Sequence, residues 1–319
     1  MIDEARIRGE LNNVLETTDF HVGRRLAGKV RDSYLLPGGR RLLVTTDRIS
    51  AFDCILGTIP FKGQVLNQLA AYWFEQTRGL VPNHLLAVPD PNVMLVAECE
   101  QLQLEFIVRG YITGVTKTSA WHHYAAGARS LAGNPLPEGL RKDQRLERPI
   151  LTPTTKHEKH DRNISRDEAV AEGLITPGRF DEAAALCLRL YQAGVDHAAA
   201  RGLILVDTKY ELGLLGGRLV VSDEIHTPDS SRYWYADTYA ARFAAGGEQR
   251  KLDKEYVREW LAARGFRGEG VPPALPDEVR IEAARRYITA YEQITGRPFE
   301  PAEGPVGERV RQAVAAFSC

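Results

Sequence analysis

The stretch Leu203–Glu224 limits the fold more than any other part of the chain. Two apolar arms, Leu203–Glu211 and Arg218–Glu224, flank a glycine-rich turn, which is the pattern of a β-hairpin. Strand alternation sets Asp207, Lys209 and Glu211 on one face of the first arm and Val206, Thr208 and Tyr210 on the other. Asp223 returns on the second arm, near Glu211 if the register permits. Converging carboxylates repel each other unless a cation sits between them, and hard oxygen ligands suit Mg²⁺ when phosphate oxygens complete its shell. Lys209 would answer the phosphate charge. Cross-strand ion pairs on a solvated face would explain two such residues. Five charges, including Glu224, among Leu, Ile and Val favour a site.

The 319 residues allow one large domain or two to three smaller ones. A formal net charge of −1 gives no global pull toward nucleic acid or acidic membrane, so an anionic ligand must be gripped locally. Cys54, Cys99, Cys187 and Cys319 lie far apart, which argues against a zinc site or disulfide framework and suits a reducing cytoplasm. No apolar run approaches membrane-spanning length, and the charged N-terminal stretch has no signal-peptide pattern. The expectation is a cytoplasmic protein, monomer or homodimer, without nucleic-acid or membrane partners.

Helices are expected at Asp3–Leu15, Gln64–Thr77 and Trp121–Ala126. Ser165 with Glu168 forms a capping box opening a further helix, and Pro177–Arg201 is helical with Phe180, Ala184, Leu188 and Tyr191 on one face. Two more are expected at about Lys254–Ala263 and Asp277–Thr295. A hairpin around Pro37-Gly38-Gly39 carries Gly28–Asp32 on its first arm, and Met94–Ala97 and Leu102–Thr113 read as strands. Gly133–Asp161 reads as a long polar loop, with Leu151–Ser165 a mobile flap anchored at one end. The tail after Pro301 permits a docked helix or disorder. Strands grouped with helices, without βα alternation, indicate an α+β fold.

Several short stretches carry chemistry. Gly28-Lys29-Val30-Arg31 resembles a nucleotide-covering turn, although a lone Gly-Lys is more often an exposed edge. Thr45–Asp53 packs hydroxyls, carboxylates and Arg48 at a strand end. Arg109, inside an apolar strand, requires an anionic partner, either a structural carboxylate or a ligand phosphate. Ser230, Ser231 and Arg232 suit a phosphate monoester, or a capped turn. His157, His160 and His226 are set aside as metal ligands because Lys156, Lys159 and Arg162 would oppose a cation.

In order, GKVRD, TTDRISAFD, FKGQVLNQL, VRGYITG, ILTPTTK, HDRNIS, LVDTKYELG and DEIHTPDSSRYW resemble the phosphoribosylaminoimidazole-succinocarboxamide synthase (SAICAR synthetase) family, from about Leu26 to Thr295. The resemblance implies a two-lobed, kinase-like or ATP-grasp-like fold. Its parts would be an antiparallel-sheet N-terminal lobe (1–105), a larger α+β lobe (106–248) and a C-terminal helical segment packed on the second lobe (249–319).

It further implies a carbon–nitrogen ligase joining L-aspartate to the carboxylate of carboxyaminoimidazole ribonucleotide (CAIR), with ATP as co-substrate and Mg²⁺ as cofactor. Glu211 and Asp223 would hold Mg²⁺ and Lys209 the nucleotide phosphates. Gly28, Lys29, Val30 and Arg31 would cover ATP, with adenine near Leu102, Gln103 and Leu104. Arg109, Ser230, Ser231 and Arg232 would take the ribonucleotide, and Lys156 and Asp161 would hold aspartate and the reacting carboxylate. Asp207 would be an orienter or proton acceptor. Many relatives have Gly-Ser after the Arg-Gly-Tyr strand; here Val115 cannot donate that hydrogen bond, and Thr116 or Ser119 would replace it. The rivals are another ATP-dependent carboxylate–amine ligase or small-molecule kinase, and a nucleotide-sensing protein without turnover.

Overall fold

The computed structural model describes residues 2–51, 54–156, 161–252 and 255–318. Of the residues named above, Phe52, Asp53, His157, Lys159, His160, Lys254 and Cys319 lie outside the described residues. The first half runs α1 (Glu4–Gly9), β1 (Arg24–Ala27), β2 (Arg31–Leu36), β3 (Arg40–Thr45), β4 (Arg48–Ala51), β5 (Cys54–Thr58), α2 (Lys62–Gln76), β6 (Leu85–Asp90), β7 (Val93–Ala97) and β8 (Glu100–Ile112). Next come α3 (Ala120–Ala125), β9 (Ser130–Leu131), β10 (Asn134–Pro135), β11 (Gln144–Leu151), β12 (Thr154–Thr155), α4 (Arg166–Ala171) and α5 (Pro177–Ala200). The chain continues with β13 (Leu203–Leu215), β14 (Arg218–Val221), β15 (Ser231–Tyr235), α6 (Ala236–Ala244), α7 (Glu255–Ala262), α8 (Asp277–Thr295) and α9 (Val306–Ala315).

Two antiparallel sheets make the α+β frame. The first has the order β1-β2-β3-β7-β6; the second runs β11-β8-β13-β14, with β12 added to β8 and β15 to β13. In β8 the even residues Leu102, Leu104, Phe106 and Val108 join the main core, which leaves Glu105, Ile107 and Arg109 on the opposite face. Gly110 lets α5 close on this sheet, since a Cβ there would lie 2.1 Å from the Tyr191 hydroxyl. Gly216 and Gly217 both have positive φ, as a two-residue turn joining twisted strands requires.

Several expectations are corrected. Alternation in β13 breaks at a register shift between Leu205 and Asp207, so Val206 packs with Tyr111 and Trp234 while Tyr210 enters the main core. Gly28–Val30 are not on a strand arm but form the turn between β1 and β2, with Arg31 opening β2 and the Gly28 N–H closing the turn on the Arg31 carbonyl at 2.9 Å. The polar stretch 133–161 contains β11, which buries only Leu146 and Ile150, too few for an alternating signal. On α5 the buried set includes Ala183, Cys187 and Leu190, whereas Leu188 is exposed. The flap is anchored on both arms: Thr154–Thr155 pair with β8, and the Ile164 N–H reaches the Pro153 carbonyl at 3.0 Å.

The expected boundary at 105/106 falls inside β8. The C-terminal segment is not confined to the second lobe, because the apolar face of α8 lies against α1 and α2, and α9 docks on β6 and β7. The tail is therefore a docked helix, with Val306, Val310 and Val314 buried and Arg309 hydrogen-bonded to Asn92 at 2.7 Å. Cys54, Cys99 and Cys187 are free thiols. Among the described residues no helix is long and apolar enough to cross a membrane.

Candidate active site

A cavity of about 250 Å³ opens on the charged face of the second sheet. Its floor is Glu105, Ile107 and Arg109 of β8 with Asp207 and Lys209 of β13, and its rim includes Thr116, Ser119, Asp161 and the Pro228–Arg232 loop. Arg109, Asp207, Lys209, Thr116, Ser119, Asp161, Ser230, Ser231 and Arg232 were thus all brought to one cavity by the fold. Gly28–Arg31, Lys156, Glu211 and Asp223 do not line it. Glu105, Asp229 and Arg258 line it as well and were missed as site residues. Glu105 had a signal, a carboxylate interrupting the apolar run of β8. Arg258 had none, because a basic residue on a short amphipathic helix reads as solvated surface.

One end is cationic. Arg109 is buried; its Nε donates to the Thr152 hydroxyl at 2.8 Å and its Nη2 to the Thr118 carbonyl at 3.0 Å. Its Nη1 lies 3.5 Å from Asp207 Oδ2, and Arg232 Nη1 donates to the same oxygen at 2.5 Å. Asp207 therefore orients two guanidiniums, and Arg109 has the structural carboxylate partner its burial required. Burial pulls the Arg109 guanidinium down to about 10, with Asp207 opposing and Arg232 pushing the same way as burial. An anion here would relieve that cost. Ser231 donates to the Thr208 hydroxyl at 2.8 Å, and Ser119 to the Thr116 carbonyl at 2.6 Å. Gly114 has φ 88, and a Cβ on it would lie 2.6 Å from Ser119 Cβ and 3.1 Å from Arg232 Nη2. Both Ser119 and Arg232 thus close on Gly114, while Val115 is 67% exposed.

Beyond the cavity's edge at Glu105 and Lys209 the site turns anionic. Glu105 and Glu211 are direct cross-strand partners, an arrangement that is unfavourable unless a cation bridges them. Lys209 does so, donating to Glu105 at 2.8 Å and to Glu211 at 2.5 Å, and Lys156 also pairs with Glu211. Burial alone would raise the Glu211 carboxyl, but Lys209 and Lys156 outweigh it and hold it well below the usual carboxylate range. Asp223 follows Ser222, whose N–H donates to the Glu211 carbonyl at 3.1 Å. Its carboxylate takes Arg31 Nη1 at 2.6 Å, and Arg31 Nη2 reaches Glu224 at 2.6 Å. Burial pushes the Asp223 carboxyl up to about 6; Arg31 opposes this, and Glu211 and Glu224 add to it.

These groups fit a hard divalent cation. Two protein carboxylates are what Mg²⁺ takes when phosphate oxygens supply the rest of its shell, and the repulsion raising Asp223 is what a cation would relieve. Among the described residues no three His, Cys, Asp or Glu converge as a protein-only metal cage. His226, set aside as a ligand, is buried and shares a hydrogen bond with Tyr210 at 2.6 Å.

The expected nucleotide residues take different places. Leu102 and Leu104 point into the main core, whereas Gln103 is exposed and its carbonyl accepts the Lys156 N–H at 3.1 Å. The exposed Gly28–Lys29 turn is held from behind by Arg48, which donates to the Gly28 carbonyl at 2.9 Å and the Lys29 carbonyl at 3.1 Å.

Known proteins are similar to this one along most of the chain. The family model described as SAICAR synthetase matches residues 24–273. A phosphoribosylaminoimidazole-succinocarboxamide synthase of Legionella pneumophila (strain Lens) is 50% identical over 301 residues, covering 93% of this chain and 96% of its own. One from Bacteroides fragilis (strain YCH46) is 47% identical over 313 residues, covering 95% and 98%. Among solved structures, a SAICAR synthase from Saccharomyces cerevisiae complexed with SAICAR is 32% identical, with a TM-score of 0.79 over 90% of this chain and 100% of that one. With the match spanning both sheets and every residue that lines the cavity, the chain belongs to the SAICAR synthetase family.

Proposed function

We propose that this chain joins L-aspartate to the carboxylate of CAIR, cleaving ATP to ADP and phosphate and yielding SAICAR for purine biosynthesis in the cytoplasm. The observation that carries the reading is the cavity's polarity: a paired-guanidinium end beside hydroxyls, and a carboxylate–lysine end a short way along the same strand. A carboxylate is a poor electrophile because its leaving group would be oxide. Transfer of the γ-phosphoryl group to that carboxylate makes phosphate the leaving group, and the aspartate amine then attacks the carbonyl carbon. Such chemistry asks the protein for positioning and charge neutralisation.

In this reading Arg109, Arg232, Ser230 and Ser231 bind the ribonucleotide phosphate and ribose, with Ser119 or Thr116 in place of the family serine. Asp207 orients the two guanidiniums. Lys209 contacts the nucleotide phosphates, and Gly28–Arg31 covers ATP. Glu211 and Asp223 would hold Mg²⁺, which supplies charge neutralisation to the phosphates. Asp161, exposed on the rim, receives the aspartate amine, and Lys156 leaves Glu211 for a substrate carboxylate. Another carboxylate–amine ligase or a small-molecule kinase would need the anionic end but not both Arg109 and Ser231-Arg232.

Mixing ATP, CAIR and L-aspartate, and omitting each in turn, tests the proposal. ADP and SAICAR should appear in equal amounts only when all three are present. ADP release that does not depend on CAIR would overturn it, and binding without turnover would favour a nucleotide sensor.

A further inference from the structure

FKGQVLNQL contributes to the family resemblance, yet nothing in the reaction above uses its lysine. Lys62 opens α2 and is 0% exposed. That position is doubly unfavourable for a cation: burial strips its water, and a helix N-terminus already carries partial positive charge. Its partner is Asp229, on the loop that lines the substrate cavity. Lys62 Nζ donates to Asp229 Oδ2 at 3.0 Å, and the Tyr287 hydroxyl of α8 donates to Asp229 Oδ1 at 2.6 Å. Three segments distant in sequence meet on one carboxylate at the cavity wall.

The backbone on both sides of this contact is held in an unusual state. Phe61, with φ 63, directly precedes Lys62, and His226, with φ 55, directly precedes the loop Thr227–Arg232. Left-handed conformations at bulky residues persist only where the surroundings over-determine them. At Phe61 the surroundings include Asp47, which accepts the Gly63 N–H at 2.8 Å and the Leu15 N–H at 2.6 Å. At His226 they are the Tyr210 hydrogen bond and the Tyr233 hydroxyl, which donates to the His226 carbonyl at 2.8 Å. Lys62 thus reaches Asp229 from one braced turn to another.

We infer that Lys62 is a positioning residue for the ribonucleotide substrate, an inference that rests on the reaction proposed above. By pairing with Asp229 it fixes the loop and cancels a negative charge at the cavity wall, so that Ser230, Ser231 and Arg232 meet the incoming phosphate without a bare carboxylate beside them. Packing alone does not require the pair, since apolar residues of similar volume commonly replace buried ion pairs without loss of stability.

The test compares Lys62→Met, Lys62→Arg, Tyr287→Phe, Asp229→Asn and the Lys62→Met/Asp229→Asn double variant, reading three KM values, kcat and the thermal midpoint. Lys62→Met should raise the CAIR KM about tenfold or more, with the ATP and aspartate KM values within about twofold of wild type and partial recovery in Lys62→Arg. In the Asp229→Asn background the same change should shift the CAIR KM by less than about twofold, because the charge it answers is gone. An unchanged CAIR KM in Lys62→Met, or a parallel rise in all three KM values with a lower midpoint, overturns the inference. Should Lys62→Met not fold, Tyr287→Phe decides: a severalfold, CAIR-specific KM rise supports it and an unchanged CAIR KM overturns it. Wild-type protein without CAIR-dependent turnover would sink the reaction itself; wild-type turnover with an indifferent Lys62 sinks only this inference.

Discussion

The two ends of the site are built on the same two strands and solve opposite electrostatic problems. At the Arg109 end, two guanidiniums share the Asp207 carboxylate, which leaves an excess of positive charge in a buried setting. At the Glu211 end, Lys156, Lys209 and Arg31 face Glu105, Glu211, Asp223 and Glu224, which leaves an excess of negative charge. The first end is ready for an anion as it stands. The second has matched nearly all its charges internally, so a nucleotide must arrive with a cation and exchange ion pairs that already exist. Pre-organisation at one end and exchange at the other is the contrast the predictions address.

The largest effect is expected at the anionic end. Asp223→Asn removes one of two carboxylates available to Mg²⁺ and should lower turnover by about a hundredfold while the circular dichroism spectrum stays that of wild type. Turnover and Mg²⁺ dependence both at wild-type level would break the contrast, because Asp223 would then take no part in holding the cation.

A smaller loss is expected at the cationic end. Lysine cannot reproduce a planar fork, so Arg232→Lys should raise the CAIR KM about tenfold and leave the ATP KM unchanged. Steady-state kinetics with each substrate varied would show it. An ATP KM that rises while that for CAIR does not would place Arg232 on the wrong substrate.

The smallest effect is a proton count. With its carboxyl pushed up to about 6, Asp223 is partly protonated in ligand-free protein at pH 5 to 6. A cation favours the charged form, so its pKa falls on binding and protons leave; the sign is release, never uptake. Calorimetry of Mg-nucleotide binding in buffers of different ionisation enthalpy should show release of up to about one proton at pH 5.5 and almost none at pH 8 from this group. CAIR-side binding should show no such contribution from Asp223, and Asp223→Asn should abolish it. Equal release in that variant would remove Asp223 from the cation's surroundings.

Residues whose role is local were legible. The capping box at Ser165 and Glu168, the span of α8 and the charged face of β13 all follow from contacts between chain neighbours, so their patterns survive in the sequence. β11 has the pattern of a loop because only two of its residues are buried, and Glu105 is inconspicuous in the sequence because its importance depends on facing Glu211 across the sheet. Lys62 lies just before the helix expected at Gln64–Thr77 and carries no signal of its own; that it is buried on Asp229 depends on where a loop more than 160 residues away is placed.

The sequence by itself determined the α+β class, the ordered motifs of the family and the residue types of the site, since hydrophobic period, turn chemistry and charge interruption are written residue by residue. Tertiary structure alone decided which charges meet. It put Arg109 and Arg232 on one carboxylate, gave Asp223 to Arg31 and brought Lys62 and Tyr287 to Asp229. Electrostatic energy depends on distance and on the water left around each group, and neither is set until the sheets, loops and terminal helices have closed on one another.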